Sequence, residues 1–424
     1  MTAVPNSAGF HRTASGALHC EGVALSAIAD AAGTPVYVYS AAAIEERYRR
    51  LAAALPPSAL IAYAVKANPN LAVVATLARL GAGADVVSGG ELARARRASV
   101  PANRIVFSGV GKTVGELERA LTEGILQLNV ESEPELHMLS AVATRLGRTA
   151  PIALRVNPDV SAGTHTKIST GRAEDKFGIP AAQAKDAARL AASLPGLSLQ
   201  GLAVHIGSQL TQLEPMERAF ASLGSLAQAL RAEGHAIRTI DLGGGLGVPY
   251  EPGQPAPPSP EAYGAMVERV SAGWGARLIF EPGRFLVAEA GVLVASTILV
   301  KQGQDRVFVV VDAAMNDLMR PTLYGAYHGI EPLEAKPGRM VVDVVGPACE
   351  SGDTFAKARE IGAVGPGDRV ALMTAGAYGA SLASTYNSRP LVAEVLVRGR
   401  DWRVVANRVQ PEAMMELEAI PDWG

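Results

Sequence analysis

Short apolar runs rich in β-branched residues alternate with amphipathic stretches over roughly the first 290 residues. Such runs are typical of strands buried in a parallel sheet, and the spacing between them is typical of crossover helices. The pattern predicts eight strands, at residues 61–65, 84–87, 104–107, 125–130, 152–156, 201–206, 237–242 and 277–281. It predicts intervening helices at 71–80, 91–98, 114–123, 134–146, 181–194, 215–233 and 259–274. Eight alternations indicate an α/β fold of the (β/α)8 TIM-like barrel type rather than an open doubly wound sheet.

The pattern changes after Gly291, where strand-like runs follow one another with little helical spacing between them. These runs are 292–300, 306–311, 340–345, 369–373, 391–398 and 402–405. They predict a C-terminal all-β domain, and an early strand at 35–39 is a candidate member of it. We therefore predict an N-terminal tail and segment at 1–33 that joins the β domain, a cofactor-binding barrel at 34–290 and the β domain at 291–424. Within the first segment, residues 1–16 are expected to be a loose tail.

Composition narrows the class of function. The chain has 424 residues, 48% of them hydrophobic, and a net charge of −2, so it can bury a large core and has no basic footprint for nucleic acid. Its two cysteines, Cys20 and Cys349, are too few for a disulfide framework or a zinc site, which favours the reducing cytoplasm. Neither a signal peptide nor a membrane-spanning run is expected. Small-molecule chemistry is the expected activity, without a metal.

Lys66 ends the first predicted strand, directly before Asn68-Pro69-Asn70, which is expected to open a helix. A lysine at the end of a buried strand is either a long side chain that lies along apolar surface or pairs with a carboxylate, or an amine used as a nucleophile. The stretch alone leaves both interpretations open.

Polar side chains follow several of the other strands. In a barrel these ends meet at the catalytic face. They supply Asp85 and Ser88, Arg155 and Asn157, His205 and Ser208, Gly243 to Gly245, and Glu281-Pro282-Gly283-Arg284. The glycines follow strand seven and Gly283-Arg284 follows strand eight, where barrels frequently bind phosphate, although a glycine cluster alone is more often a turn.

A lysine nucleophile together with a phosphate site predicts pyridoxal 5'-phosphate attached to Lys66. Glu281 is then expected to keep the pyridine nitrogen protonated, unless it only pairs with Arg284. His205 either stacks on the cofactor ring or is an ordinary core histidine. Asp85 is a candidate for orienting Lys66 or His205.

The β domain carries three polar clusters. Arg320 and Tyr324 follow an apolar strand, where the arginine is suited to clamp a carboxylate. Cys349 precedes Glu350 in a turn, and is either a small buried hydrophobe or a proton donor. Tyr378 lies in a glycine-rich turn that is either a ligand contact or a simple hairpin.

With these motifs assembled, the chain resembles the diaminopimelate decarboxylases, pyridoxal-phosphate enzymes with an alanine-racemase-like barrel. The similarity extends from about Gly33 to Pro411. It rests on seven motifs: Tyr63-Ala-Val-Lys66-Ala-Asn-Pro-Asn70, His205-Ile-Gly-Ser208-Gln209, Asp241-Leu-Gly-Gly-Gly245, Glu281-Pro-Gly-Arg284, Met319-Arg320-Pro-Thr-Leu-Tyr324, Cys349-Glu350-Ser-Gly-Asp353 and Gly376-Ala-Tyr378.

The resemblance implies specific roles. Lys66 would carry the cofactor, His205 would stack on its ring, and Gly243 to Gly245 with Gly283-Arg284 would hold its phosphate. The resemblance also implies a homodimer with shared sites, in which Cys349 and Glu350 come from the partner subunit. The implied substrate is meso-diaminopimelate, giving L-lysine and carbon dioxide, and its contacts would be Arg284, Arg320, Tyr324, Glu350 and Tyr378.

The main alternative is a decarboxylase for ornithine, lysine or a related diamino acid, including one of D configuration. Such an enzyme would be expected to present an acidic group to the distal amine rather than Arg320 and Tyr324. The resemblance also disfavours a racemase. Racemases of this fold place an arginine against the ring nitrogen, whereas this chain has Glu281 there. A catalytically inactive relative is disfavoured by the presence of both Lys66 and Cys349. The polar segment 159–176 is long for a loop and is a candidate lid.

Overall fold

The computed structural model describes residues 9–160 and 176–423, so most of the candidate lid at 159–176 lies outside the described residues. The chain forms two compact units. One consists of Arg47–Pro249 and Pro255–Leu286, and the other of the chain up to Glu46, Tyr250–Gln254 and the chain from Val287. The domain boundaries at 34 and 291 drawn from the sequence stay a prediction.

The first unit contains the predicted barrel. Its eight strands are Leu60–Ala64, Gly83–Val86, Ile105–Phe107, Gln127–Val130, Ala150–Asn157, Leu197–Ala203, Thr239–Asp241 and Arg277–Phe280. Each strand pairs in parallel with the next, and the last pairs with the first through Ile279 and Leu60, which closes the ring. The short strand Ile179–Pro180 adds to the fifth strand from outside the ring. The barrel prediction is confirmed.

The helices of this unit lie between the strands, at Leu71–Arg79, Gly89–Arg97, Val114–Glu123, Glu133–Arg145, Ala184–Ser193, Glu214–Ala232 and Pro260–Ser271. Local sequence explains where they begin. Thr113 and Glu116 form a reciprocal capping box, and the side chains of Ser132 and Ser259 cap helices whose first turns contain a proline. The observed helix ends agree with the predicted ones to within a few residues.

The second unit is built mainly from strands. Its longest strand, Gly291–Gln302, pairs with three others: Val36–Ser40, Val307–Val311 and Arg369–Leu372. Val36–Ser40 also pairs in parallel with Ala393–Arg398, which pairs with Asp401–Ala406. Further strands are Ile330–Pro332, Arg339–Val345 and Thr354–Gly362. The early strand predicted at 35–39 is thus part of this sheet.

The N-terminal segment corrects one prediction. Residues 9–16 are not a loose tail, because Phe10–Arg12 pairs with Leu18–Cys20, which pairs with Val23–Ala24. Phe10 is fully buried in a cluster with Ile28, Val294 and Val395. Two more helices, Leu25–Ala32 and Ala41–Ala54, flank the strand Val36–Ser40. Across the described ranges, no helix has both the length and the apolar character needed to cross a membrane.

Candidate active site

Lys66 lies in a single 3-10 turn, Val65–Ala67, directly after the first barrel strand. The chain that follows is fixed by its own side chains. The Tyr63 hydroxyl donates to the Asn68 carbonyl oxygen at 3.0 Å, and the Asn70 side chain accepts from the Ala72 amide at 2.9 Å to cap the next helix. This local network holds the backbone of Lys66 at the C-terminal mouth of the barrel.

The Lys66 amine is paired with a buried carboxylate. Its Nζ donates to Asp85 Oδ2 at 2.8 Å. The strand register permits this contact, because it sets Ala64 opposite Asp85. The Lys66 side chain is 37% exposed, whereas Asp85 is fully buried. Asp85 Oδ1 has no hydrogen-bond partner among the described residues. The amine is therefore held by Asp85 on its buried side and is accessible to a small molecule on its exposed side.

Four polar side chains from different strands meet inside the barrel. The Ser108 hydroxyl donates to Glu281 Oε1 at 3.2 Å, and Asn129 Nδ2 lies 3.1 Å from Asp241 Oδ2 and 3.4 Å from Glu281 Oε1. All four are buried. The loop after strand seven is tied to this network, because the Gly243 amide donates to Asp241 Oδ1 at 2.9 Å.

The two carboxyl groups of this network share a perturbed environment. Burial, followed by the nearby charges of Asp241 and Asp85, raises the pKa of Glu281 well above its ordinary value. Burial also raises the pKa of Asp241 to about 6. A cation placed beside Glu281 would be attracted by the negative charges of Asp241 and Asp85, and it would lower the pKa of Glu281. The positive charge of Lys66 already lowers the pKa of Glu281 in this way.

His205 lies just beyond the sixth barrel strand and is held as a neutral ring. Its Nδ1 accepts from the Gly244 amide at 3.2 Å, which assigns the ring proton to Nε2. Burial, and then the charges of Arg155 and Lys66, lower its pKa well below the usual value. Arg155 is fixed in turn by an ion pair with Glu131 at 2.9 Å. A neutral imidazole is suited to pack on an aromatic ring.

The glycines after strand seven allow a close approach of three backbone segments. A Cβ on Gly244 would collide with the Glu281 carbonyl oxygen, and one on Gly243 would lie 2.5 Å from the Val204 carbonyl oxygen. Gly243 and Gly245 also have positive φ angles of 64° and 115°. No other residue type fits this loop without moving the strand ends.

Loop residues after strands six and eight lie beside one another. Arg284 Nη2 donates to Ser208 Oγ at 3.0 Å, and the Pro282 carbonyl oxygen accepts from the Ala64 amide at 3.1 Å. Gly283 begins the short turn in which its carbonyl oxygen accepts from the Leu286 amide. A guanidinium, a hydroxyl and a glycine-rich loop at these strand ends form a site suited to a phosphate group.

In the β unit, Cys349 and Glu350 lie on a tight turn that other segments hold. Cys349 is exposed, so the interpretation of it as a small buried hydrophobe is wrong; Cys20 is the buried cysteine. The Cys349 amide donates to Asn387 Oδ1 at 3.0 Å, and a hydrogen bond to Glu350 raises the pKa of Tyr386. Asp353 fixes the turn by accepting from the Ala348 amide at 2.7 Å.

The other candidate residues of this unit are also placed by local structure. Arg320 begins the helix Arg320–Tyr324 and is buried, and Tyr324 ends it half-buried. Tyr378 is half-buried and has a positive φ of 55°, which is uncommon for an aromatic residue; backbone positions of this kind cluster at functional sites.

Ser108 and Asn129 were not among the candidates drawn from the sequence, although the signal was present. Ser108 directly follows the apolar strand Ile105–Phe107, and Gln127 and Asn129 alternate with apolar residues in Gln127–Val130. In a closed barrel, alternate residues of each strand point inward. Listing the ends of strands three and four would have found them.

The residues at the barrel mouth fit pyridoxal phosphate. They provide an accessible amine on Lys66, a glycine loop at Gly243 to Gly245 that admits no Cβ, a neutral ring at His205 and a buried acid at Glu281 beside the negative charges of Asp241 and Asp85. Residues 41–288 match the family of pyridoxal-dependent decarboxylases through its pyridoxal binding domain.

Known relatives agree over nearly the full length. The chain is 52% identical to the diaminopimelate decarboxylase of Zymomonas mobilis subsp. mobilis, over 96% of this chain and 98% of that protein. The crystal structure of diaminopimelate decarboxylase from M. jannaschii with L-lysine has a TM-score of 0.94 at 35% identity, covering 98% of both chains. The Helicobacter pylori enzyme with L-lysine has a TM-score of 0.89 at 40% identity, covering 92% of this chain and 98% of that one.

Matches of this length and identity, added to a barrel mouth suited to pyridoxal phosphate, place the chain among the pyridoxal-dependent decarboxylases and, within them, in the diaminopimelate decarboxylase family.

Proposed function

We propose that this protein decarboxylates meso-2,6-diaminopimelate to L-lysine and carbon dioxide with pyridoxal 5'-phosphate, the last step of lysine biosynthesis by the diaminopimelate route. The observation that carries the proposal is the Lys66 amine at the barrel mouth, 2.8 Å from a buried aspartate and close enough to Glu281 to act on its pKa. The 52% identity to a diaminopimelate decarboxylase, over 96% of this chain, supports the choice of substrate.

The barrel residues divide the work of holding the cofactor. We assign covalent attachment to Lys66 and phosphate binding to Gly243, Gly244 and Gly245. Further phosphate and ring contacts are assigned to the barrel residues Asp85, His205, Ser208, Pro282, Gly283 and Arg284, and to Tyr378 of the β unit. When bound, pyridoxal phosphate supplies an electron sink for the pair left as the carboxylate departs. Glu281 keeps the ring nitrogen protonated, which is what gives that sink its strength.

The chain's own groups handle the protons. Asp85 Oδ2 accepts from Lys66 Nζ and so directs the amine to the barrel mouth, where the cofactor would attach. His205 stays neutral and so adds no positive charge that would compete with the protonated ring nitrogen. Cys349 Sγ–H donates a proton to the substrate Cα after carbon dioxide leaves, and Glu350 binds the substrate amine.

Substrate choice follows from the distal end of the molecule. Diaminopimelate has a second amino-acid head there, with a carboxylate, whereas ornithine and lysine offer only an amine in that position when they are to be decarboxylated. Arg320 and Tyr324 are assigned to that carboxylate, because a guanidinium binds a carboxylate through paired hydrogen bonds. Arg284, Glu350 and Tyr378 complete the substrate contacts.

The assay that tests the function supplies purified holoenzyme with meso-diaminopimelate, L-lysine, L-ornithine and their D isomers in parallel, and measures carbon dioxide and amine products. We expect rapid release of carbon dioxide from diaminopimelate with stoichiometric L-lysine. Faster turnover of ornithine or lysine would contradict the proposal and favour a diamine-forming decarboxylase.

Replacing Cys349 with alanine is expected to lower kcat for diaminopimelate on the order of 10²-fold or more, because a positioned acid contributes about that much to a proton transfer. Steady-state kinetics on the holoenzyme measure it. The matched control is Cys20→Ala, which removes the buried cysteine: it should lower the melting temperature but leave kcat unchanged. An undiminished kcat in Cys349→Ala would assign the proton to another group.

We also propose that the active form is a homodimer in which Cys349 and Glu350 act in the partner's site. An equal mixture of Lys66→Ala and Cys349→Ala chains, each inactive alone, should then regain roughly a quarter of the wild-type activity after subunit exchange, since half the dimers are mixed and each has one intact site. Activity after mixing, with size-exclusion chromatography, measures this. If each site uses residues of one chain only, no activity returns.

The low cysteine content is typical of proteins from a reducing compartment, and we place the enzyme in the cytoplasm. Cell fractionation with activity assays checks this location.

A further inference from the structure

Arg320 is surrounded by two side chains that have no role in the assignments above. Arg320 Nη1 lies 2.8 Å from His328 Nε2, and the guanidinium carbon lies 4.2 Å from the centre of the Tyr250 ring. The rings of Tyr250 and His328 meet edge to face, at 5.6 Å and 76°. Arg320 is only 6% exposed and His328 is fully buried. The guanidinium is thus enclosed by an imidazole on one side and an aromatic face on another.

The protonation of His328 follows from its partners. His328 Nδ1 lies 2.8 Å from the Met373 carbonyl oxygen, which can only accept, so Nδ1 must donate. A guanidinium can only donate, so Nε2 must present its lone pair to Arg320. The hydrogen-bond network therefore assigns a neutral ring with the proton on Nδ1. A second proton on Nε2 would face the Arg320 cation directly.

The backbone on both sides of His328 is held by the sheet. The Met373 amide donates to the Gly329 carbonyl oxygen at 2.8 Å, next to the antiparallel pair of Ile330–Pro332 and Arg369–Leu372. Arg359 Nη1 donates to the His328 carbonyl oxygen at 3.1 Å. The backbone of His328, two residues before the strand Ile330–Pro332, is therefore fixed relative to the sheet, and its imidazole is a well-placed acceptor.

His328 Nε2 and the Tyr250 ring are both neutral partners of the Arg320 guanidinium. They fix the direction of the guanidinium plane and neutralise none of its positive charge themselves. Paired hydrogen bonds to a carboxylate demand that this plane be aligned within narrow limits, and a freely rotating guanidinium loses much of the benefit.

We propose that His328, assisted by Tyr250, is a positioning residue that aims Arg320 and so sets the preference for a ligand whose distal end carries a carboxylate. The inference rests on the proposed function, since it deepens the role assigned there to Arg320. Neither His328 nor Tyr250 touches the substrate in this scheme; both act through Arg320.

Product binding separates this role from a general structural one. Removing one carboxylate from diaminopimelate leaves L-lysine, whose remaining carboxylate is the distal one. Cadaverine, 1,5-diaminopentane, has the same carbon chain and amines but lacks that carboxylate. A defect in the orientation of Arg320 should weaken the binding of L-lysine and leave the binding of cadaverine unchanged. General damage to the site should weaken the binding of both.

The experiment measures inhibition constants of L-lysine and cadaverine, with kcat and KM for diaminopimelate, in holoenzyme carrying His328→Phe. Phenylalanine keeps a ring but removes the acceptor. We expect KM and the L-lysine constant to rise about 10- to 100-fold, with kcat changed by less than about threefold and the cadaverine constant unchanged. His328→Gln, which restores an acceptor near the Nε2 position, should recover part of the loss.

Three further variants separate the proposed role from general damage to the fold. Tyr250→Leu removes the aromatic face and should raise the L-lysine constant in the same direction, while Tyr250→Phe keeps the face and should not. His137→Phe, at an exposed position on a barrel helix, is the matched histidine control and should change neither constant.

An equal loss of affinity for L-lysine and cadaverine in folded His328→Phe and Tyr250→Leu, or no loss for either ligand, would overturn the inference. Failure of the proposed function would give a different result. The wild-type holoenzyme itself would then release no carbon dioxide from diaminopimelate, whatever the variants do.

Discussion

Lys66→Ala is expected to abolish turnover of diaminopimelate and the visible absorbance of protein-bound pyridoxal phosphate. The amine of Lys66 is the nucleophile assigned to hold the cofactor, and its position at the barrel mouth comes from Asp85, which no other lysine contacts among the described ion pairs. Loss of a covalent nucleophile leaves only residual binding of the cofactor, so kcat should fall by at least about 10³-fold. Absorbance spectra, and mass spectrometry after borohydride reduction, measure the attachment.

The alanine variant also leaves Asp85 buried without its cation, so a loss of stability has to be separated from a loss of chemistry. Lys66→Arg keeps a cation near Asp85 but is not a usable nucleophile, and should fold like the wild type while remaining colourless and inactive. Lys357→Ala, at an exposed position of the β unit, controls for removal of any lysine. Persistent borohydride-fixed cofactor at another lysine in a fully active Lys66→Ala chain would refute the assignment.

The barrel was predictable because its signals are local. Buried parallel strands leave short apolar runs, and their helices carry caps such as Thr113 with Glu116 or Ser259 before Pro260, which can be identified without knowing the fold. Once eight such units are counted, the fold itself predicts that the strand ends meet. That is why Lys66, Asp85 and Glu281 could be proposed together before their contacts were known.

The strands of the β unit were harder to predict. Thr354–Gly362 was missed because Lys357, Arg359 and Glu360 give it the composition of a solvated loop, and register shifts opposite Arg339–Val345 interrupt its alternation. The N-terminal strands were missed because only two or three residues form each one. Their burial depends on partners such as Val294 and Val395, far away in the sequence.

The site shows the same division between local and tertiary information. A strand end identifies a candidate residue, but not its partners. That Glu281 receives the Ser108 hydroxyl, or that Arg320 meets His328, depends on how distant segments are brought together. The exposure of Cys349 likewise depends on the turn fixed by Asp353 and Asn387, which no local pattern predicts.

The second large effect is expected from Glu281→Gln. Glutamine keeps the shape of the side chain and can still accept from Ser108, but it cannot carry the negative charge that stabilises a protonated ring nitrogen. Loss of one preorganised electrostatic group in a buried site is expected to lower kcat on the order of 10²- to 10³-fold. Steady-state kinetics at saturating cofactor measure the loss, and Glu360→Gln, at an ion pair with Arg339, is the control with unchanged kcat.

The same substitution should stabilise the chain once the cofactor is removed. Burial and the charges of Asp241 and Asp85 raise the pKa of Glu281 in the folded state. Between its ordinary value and this raised value, the folded chain holds a proton that the unfolded chain has lost, so stability falls as pH rises through that interval. Glutamine has no proton to lose at this position, and Asp241 is relieved of a neighbouring negative charge.

Urea unfolding of the cofactor-free chains at pH 5 and pH 8 tests this argument. The wild type should lose more stability than Glu281→Gln between the two pH values, and the variant should be the more stable of the two at pH 8. An acid that is unfavourable for folding yet needed for turnover is what a site selected for chemistry rather than stability would contain. If Glu281→Gln were both fully active and no more stable at pH 8, Glu281 would be an ordinary core carboxyl, and the partner of the ring nitrogen would have to be sought elsewhere in the barrel.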